Sequence, residues 1–281
     1  MSLIAMGLDS AVAIAERNSR RVGSSVYSRR GWAALARNFI ALKTSSWFIV
    51  FSGFFEPVFY LAAFGFGIGQ LIGDVSDGTG NPVSYAAFIA PALLASSAMN
   101  GAIYDSTWNV FFKMHFGKLY QGMLATSMGP LDVALGEISW ALLRGLAYAL
   151  GFMAIVVPLG LVPSWWGLLA IPAALLVAFA FAALGMGVTS YITGFQGMNW
   201  IQFFLLPMFL FSGTFFPISV YPEWLQVIVM GLPLWHAVEL VRSLTLGLIH
   251  PGLLWHVIYF LAIAAFGLVF TTRRLNALFM R

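Results

Sequence analysis

Cysteine is absent from the 281 residues, and charged residues make up only 9% of them. Without a thiol the chain forms no disulfide, thiolate metal site or cysteine nucleophile. An ordinary soluble domain carries about a quarter charged residues, so a water-solvated globule is excluded. Catalytic motifs are missing too. No phosphate loop of the form G-x-x-x-x-G-K-[ST] occurs; Gly117-Lys118 is followed by Leu119 and lacks the upstream glycine. His115, His236, His250 and His256 make no H-E-x-x-H and read as interfacial or structural, so no metal is expected. Paired acids for glycosidic chemistry and a G-x-S-x-G elbow are also lacking. Basic residues do not run together with aromatics beyond the N-terminal arm, so no nucleic-acid partner is expected. No 20 to 50 residue repeat is visible, which weighs against inverted-repeat carriers.

What is present is apolar: 60% of residues are hydrophobic, with 28 Gly, 26 Phe and 10 Trp. The bilayer is therefore the solvent, and each crossing needs about 20 mostly apolar residues. Spans are expected at about Trp47 to Ile72, Tyr85 to Phe112, Leu131 to Val157, Trp165 to Tyr191, Gly197 to Phe216 and Gly252 to Thr271. Residues 73 to 84, with Asp74, Asp77, Gly78, Gly80 and Pro82, read as a polar outer loop. Between 217 and 251, Pro222, Glu223, Pro233, His236, Glu239 and Arg242 break the apolar stretch into two short pieces. Neither piece crosses a core of about 30 Å, so the segment is expected to be a re-entrant helical hairpin at the outer face. Twelve of the fourteen Lys and Arg then fall on the inner side, with both termini cytoplasmic.

Residues 1–46 hold seven of those basic residues, Arg17, Arg20, Arg21, Arg29, Arg30, Arg37 and Lys43, and form no secretory signal. Trp32, Leu35, Phe39 and Leu42 recur on one helical face, with Arg30, Arg37 and Asn38 on the other. This predicts an amphipathic helix along the inner leaflet, Lys43 snorkelling from its apolar face.

Four ionisable groups lie inside spans: Glu56, Asp105, Glu137 and Arg144. Glu56 sits about 14 Å along its helix, Asp105 and Glu137 about 10 Å deep, and Arg144 about 20 Å along the third span. Charges in lipid must be paired or face water, so Arg144 is expected to pair with Glu137 or Glu56. Such a cluster is either an inter-helix staple or part of a transport route. Gly65, Gly69 and Gly73, and Ala183, Gly185 and Gly187, suit close helix packing. Phe203, Phe204, Phe209, Phe211, Phe215 and Phe216 suit either lipid, the core or an apolar route.

The order of parts resembles the type-2 ABC exporter permeases, and within them the nodulation-factor (lipo-oligosaccharide) export branch. The fragments that carry this likeness include Glu56 to Leu61 with Gly65 to Gly69, and Ala90 to Asn100. Tyr120 to Glu137, Pro207 to Pro217, and Leu232 to Leu234 with His236 to Arg242 continue it. The likeness covers about residues 45 to 250; the extended arm before residue 30 departs from it.

This resemblance implies an all-α integral membrane permease: a basic arm (1–46) and a six-helix domain (47–281), with a coupling loop (113–130) and a hairpin (217–251). It implies pairing with two ABC ATPase subunits and with a second permease copy or sister permease. The chain itself would bind no cofactor; ATP and Mg would sit on the ATPase. Lys113, His115, Lys118, Leu119, Tyr120, Gln121 and Leu124 would couple to that ATPase, and Trp32, Leu35, Arg37 and Phe39 would form the interfacial helix. Glu56, Tyr60, Asn100, Asp105, Glu137, Arg144 and Phe211 would meet the substrate or form the charge cluster. Phe216, Pro217, Trp224, His236, Glu239 and Arg242 would gate the outer side. The substrate would be amphiphilic: a lipo-oligosaccharide, a lipid-linked glycan, a lipid or a hydrophobic drug, taken from the inner leaflet of a bacterial cytoplasmic membrane. Two rival classes stay open, an ATP-independent channel or carrier and an intramembrane lipid-modifying enzyme. The first needs a polar stripe along several spans, which is not found.

Overall fold

The computed structural model describes residues 29–44, 55–76 and 80–279. Expectations for Arg17, Arg20 and Arg21, for the first span before Phe55, for Asp77 and Gly78, for the side chain of Lys43 and for Arg281 lie outside the described residues. In chain order the elements are α1 (Gly31–Thr44), α2 (Phe55–Ile72), β1 (Asp74–Ser76), β2 (Pro82–Ser84), α3 (Tyr85–His115), α4 (Leu119–Leu124) and α5 (Pro130–Val156). They continue with α6 (Trp165–Thr189), α7 (Met198–Phe211), α8 (Glu223–Met230), α9 (Pro233–Leu246) and α10 (Leu253–Phe279). Among the described residues the fold is all-α apart from one small hairpin. Among the described residues α2, α3, α5, α6 and α10 are long and apolar enough to cross a membrane, and α8 with α9 forms a pair bent by 85°.

Local chemistry sets the boundaries. Ser84 caps α3 by accepting a hydrogen bond from the Ala87 amide at 3.3 Å. Pro130 opens α5 at a position where its missing N–H costs nothing. Gly247, at φ +82°, closes α9 in the left-handed conformation that glycine tolerates. Phe203 and Phe204 are 64% and 68% exposed, an exterior that suits lipid and not water.

Helix α3 is the hub, packing against α2, α5, α6 and α9. Its buried face is rich in alanine (Ala90, Ala92, Ala95, Ala98, Ala102), which lets neighbours approach. Helices α6 and α10 cross closely: a Cβ on Gly267 would lie 2.9 Å from the Leu184 amide nitrogen, and one on Gly187 2.4 Å from the Phe270 ring. The small residues of the fourth span are thus packing residues.

Four boundaries differ from expectation. The polar loop after α2 contains an antiparallel β-hairpin, Val75 facing Val83. Helix α3 runs one turn past Phe112 to His115 and includes a π-helical turn at Asp105–Asn109. Helix α7 stops at Phe211, because Ser212 leaves the helix and Gly213 has φ +72°; its fourteen residues make about 21 Å. Helix α10 continues eight residues past Thr271 to Phe279, with Arg273 exposed and the Arg274 guanidinium laid 3.9 Å over the Tyr191 ring.

Candidate functional site

A cavity of about 360 Å³ opens among α2, α3, α5 and α7. Its polar lining comes from Glu56, Ser96, Ser97, Asn100, Arg144 and Gln202, and its flat apolar faces from Tyr60, Trp108, Tyr148 and Phe209. The π turn of α3 aims Asp105 at α5, where its carboxylate accepts a hydrogen bond from Arg144 Nη1 at 2.6 Å and one from Asn109 Nδ2 at 2.5 Å. Arg144 Nη2 donates to the Tyr148 hydroxyl at 2.9 Å, fixing the guanidinium on the cavity wall. Gly185 makes room for this turn: a Cβ there would stand 2.2 Å from Ser106 Oγ. The result is a polar, aromatic pocket in an apolar bundle, its one arginine neutralised from behind.

A second cluster lies at the end of the bundle that carries α1 and α4. Lys113 on the last turn of α3 donates to Glu137 on α5 at 2.5 Å and to Asn38 Oδ1 at 3.2 Å. Asn38 Nδ2 donates to Glu137 at 3.2 Å, and Arg37 donates to Asn38 at 3.0 Å. Asp132, fully buried, accepts from the amides of Arg30 and Gly31 at 2.8 and 3.1 Å with one oxygen and from the Gly129 amide at 2.9 Å with the other. One carboxylate thereby caps both α1 and α5. Phe39 meets Trp140 edge to face at 5.2 Å.

Helix α4 closes this cluster from below. Tyr120 and Leu124 point inward and are buried, while Lys118 and Gln121 are exposed. Lys118 starts the helix at φ +46°, a strained conformation for a side chain with a Cβ. Burial pushes the Tyr120 phenol well above its ordinary pKa of 10.0; the nearby Glu137 carboxylate adds to the shift and the Arg37 guanidinium opposes it.

At the opposite end Arg242 holds the α8–α9 hairpin to the bundle. Its Nη2 donates to the Gly213 carbonyl at 2.7 Å, its Nε donates to the Phe88 carbonyl at 3.3 Å, and its guanidinium lies 3.9 Å over the Phe88 ring. His236 and His256 share a 2.7 Å Nδ1···Nδ1 hydrogen bond that ties α9 to α10. Phe216 and Trp224 are exposed, Pro217 and Glu239 half-buried.

Several expectations are corrected by this geometry. Arg144 pairs with Asp105 and not with Glu137 or Glu56, because the π turn brings Asp105 beside it and the longer α3 delivers Lys113 to Glu137. Glu56, Tyr60, Asn100 and Arg144 do line one cavity, but Glu137 belongs to the other cluster and Phe211 lies outside, against Tyr221 at 6.1 Å. On α1 the expected polar face is the inner one: Asn38 and Ala34 are buried against α5, Leu35 and Arg37 are half-buried, and Trp32 is 75% exposed. Lys113 and His115, expected in the loop, sit on the last turn of α3; the His115 ring packs on Phe111 at 4.4 Å. Leu119 is half-buried. Sequence reading missed Asp132, whose place three residues after Gly129 and behind Pro130 is a helix-start signal. It also missed the His236–His256 pair, for which twenty residues of separation left no local sign.

Comparison with known proteins agrees with this architecture. The family described as "ABC-2 type transporter" matches residues 29–246. Nodulation protein J of Sinorhizobium fredii is 34% identical over 229 residues, 80% of this chain and 85% of that protein. Nodulation protein J of Rhizobium leguminosarum bv. trifolii is 33% identical over 223 residues, 78% and 82% of the two chains. That of Rhizobium meliloti is 31% identical over 230 residues, 79% and 86%. No solved structure matches. With the match covering most of the helices and both clusters, the chain is a multi-pass membrane protein belonging to the ABC-2 type transporter family.

Proposed function

We propose that this chain is the permease subunit of an ATP-driven exporter that moves an amphiphile outward from the inner leaflet of a bacterial cytoplasmic membrane. The observation that carries the reading is the polar, aromatic cavity among α2, α3, α5 and α7 inside an otherwise apolar bundle. Ser97, Asn100 and Gln202 offer neutral donors and acceptors, and Tyr60, Trp108 and Phe209 offer flat faces. That combination suits a hydroxyl-rich headgroup whose apolar part stays in the bilayer, such as a lipo-oligosaccharide or a lipid-linked glycan; a lipid or hydrophobic drug would use the aromatic faces alone. The resemblance to the nodulation-factor export branch, with relatives that bear the name nodulation protein J, favours the first.

The basic residues gather at the α1 and α4 end, which supports a cytoplasmic placement for it and for both termini. There the exposed face of α4, with Lys118 and Gln121, would seat in one of two separate ABC ATPases, which supply ATP and Mg. The buried face, with Tyr120 and Leu124, would pass movement to α1, α3 and α5. The chain makes and breaks no bond. A second copy or a sister permease completes the route, residues 47–281 acting as one domain with 113–130 as coupling loop and the α8–α9 hairpin as outer gate.

The test is co-expression with the ATPase encoded beside the gene, followed by purification in mild detergent. A stable complex is expected, whose ATPase activity is stimulated by amphiphilic glycolipid. Ser97→Leu and Gln202→Leu should remove the stimulation and leave assembly intact. A chain that binds no ATPase, or cavity variants that respond as the wild type does, would overturn the reading.

A further inference from the structure

We propose that a groove between α6 and α10 binds one anionic phospholipid, its phosphate held by Arg273 and Arg274. The groove, of about 370 Å³, is lined by Tyr191, Phe266, Val269, Phe270, Arg273 and Arg274. It lies at the α1 and α4 end, since Leu275 packs in one cluster with Ala34, Tyr120 and Leu124.

Spacing along α10 gives the groove its polarity. Phe266, Val269, Phe270, Arg273 and Arg274 recur at three- and four-residue steps, so they share one face, apolar toward the membrane interior and doubly cationic one turn nearer the end. The planar groups also stack. Phe266 lies on Phe270 at 6.0 Å and 5°, Phe270 on Tyr191 at 5.7 Å and 11°, and the Arg274 guanidinium 3.9 Å over the other ring, Tyr191. Stacking fixes the Arg274 fork in place while its terminal nitrogens stay available, and a pre-oriented guanidinium is the side chain that recognises phosphate.

Neither arginine has an acidic partner among the described residues, where the salt bridges are Lys113–Glu137 and Arg144–Asp105. Arg273 is exposed, and Arg274 Nε is buried without a hydrogen-bond partner. Phe266 and Val269 are 64% and 50% exposed, an apolar wall long enough for the start of an acyl chain. Two unpaired cations directly above an apolar wall match the layout of an anionic phospholipid, phosphate above and chain below. A soluble anion would use the arginines and leave the wall bare. The inference does not depend on the exporter reading.

The full-length chain in neutral detergent would be titrated with phosphatidylglycerol, phosphatidylcholine and inorganic phosphate, following thermal stability and, by native mass spectrometry, bound lipid. Phosphatidylglycerol is expected to bind and stabilise; the other two are not. At about fivefold per arginine near the surface, Arg273→Gln should weaken phosphatidylglycerol binding about fivefold and R273Q/R274Q about 25-fold. Tyr191→Leu keeps both charges but removes the stack, and an intermediate loss is expected. Arg29→Gln removes a charge at the same end and should change nothing. Equal responses to phosphatidylcholine and phosphatidylglycerol would overturn the proposal, as would inorganic phosphate matching the lipid. If R273Q/R274Q fails to fold, the exposed Arg273→Gln decides: unchanged phosphatidylglycerol binding sinks the idea.

Discussion

Helices α3 and α5 are joined by two ion pairs of opposite sense. In the cavity the acid is on α3 and the cation on α5, Asp105 with Arg144; two turns away the cation is on α3 and the acid on α5, Lys113 with Glu137. Exposure hardly separates them: the side chains are 5% and 16% exposed in the first pair and 5% and 17% in the second. Surroundings do. The first pair borders open space, while the second is covered by Asn38 of α1 and lies near Tyr120 of α4. The alternating sense also fixes register. Sliding one helix by two turns would set Asp105 against Glu137 or Lys113 against Arg144, and like charges in a low dielectric repel strongly.

The largest effect is expected at the covered pair. Glu137→Ala leaves Lys113 charged and removes the acceptor of Asn38, a change that costs about 3 to 5 kcal/mol when a buried pair loses one member. It should appear as a fall in the yield of monodisperse protein and in its melting temperature. Replacing both members together, K113M/E137L, should recover most of the loss, because two apolar side chains leave no orphaned charge. If the double variant is as unstable as Glu137→Ala, the pair is not what holds α1 and α3 to α5.

The cavity pair should respond differently. Arg144→Gln leaves the Asp105 carboxylate without its charged donor, and a hydrogen bond to a charged group contributes about 1.5 to 3 kcal/mol. Export is expected to fall by about tenfold or more. The informative variant is D105N/R144Q. Should the pair only staple α3 to α5, the double change restores both stability and export; should Arg144 meet the substrate headgroup, it restores stability alone. Stability is read from melting in detergent, and export from lipid-linked glycan delivered to the outer leaflet.

The two pairs also mark how far sequence reasoning reaches in this chain. Turn residues, aromatic anchors and apolar length place the starts of α3 and α6 at Tyr85 and Trp165, where they stand, and those of α5 and α10 at Leu131 and Gly252, one residue from the observed Pro130 and Leu253. Pairing of charges failed for a specific reason. Face assignment assumes 3.6 residues per turn, and a π turn inserts one extra residue, rotating everything beyond it by about 100°. The turn at Asp105–Asn109 does this to Lys113, and a span ending at Phe112 leaves Lys113 in the loop, so Glu137 goes to Arg144 in the sequence reading while Lys113 is its partner in the structure. Asn38 lies on the face of α1 opposite Trp32 and Phe39, as the helical count places it, and is buried by meeting Lys113 and Glu137. Its helix has a polar face that meets buried partners and an apolar face that is exposed, the reverse of a soluble amphipathic helix. Four of the proposed route residues, Glu56, Tyr60, Asn100 and Arg144, nevertheless meet in one cavity. An ionisable or amide group in a lipid span is costly enough to need a shared polar place.

The smallest expected effect separates contact from positioning in α4. Tyr120 is fully buried and near Glu137, whereas Lys118 is exposed at the start of the same helix. Tyr120→Phe removes only a hydroxyl that has no hydrogen-bond partner among the described residues, so stability at neutral pH should change by about 1 kcal/mol or less. Its signature lies in alkali. The folded phenol has a pKa raised above the unfolded value of 10.0, so above pH 10 the unfolded chain releases this proton first and stability falls as pH rises. The melting temperature of the wild type should therefore drop more steeply above pH 10 than that of Tyr120→Phe, with the curves parallel below it. Identical slopes would mean that the phenol is not held neutral against Glu137. Lys118→Ala should leave both curves unchanged and weaken ATPase stimulation, the outcome that assigns the exposed side of α4 to the partner and the buried side to the bundle.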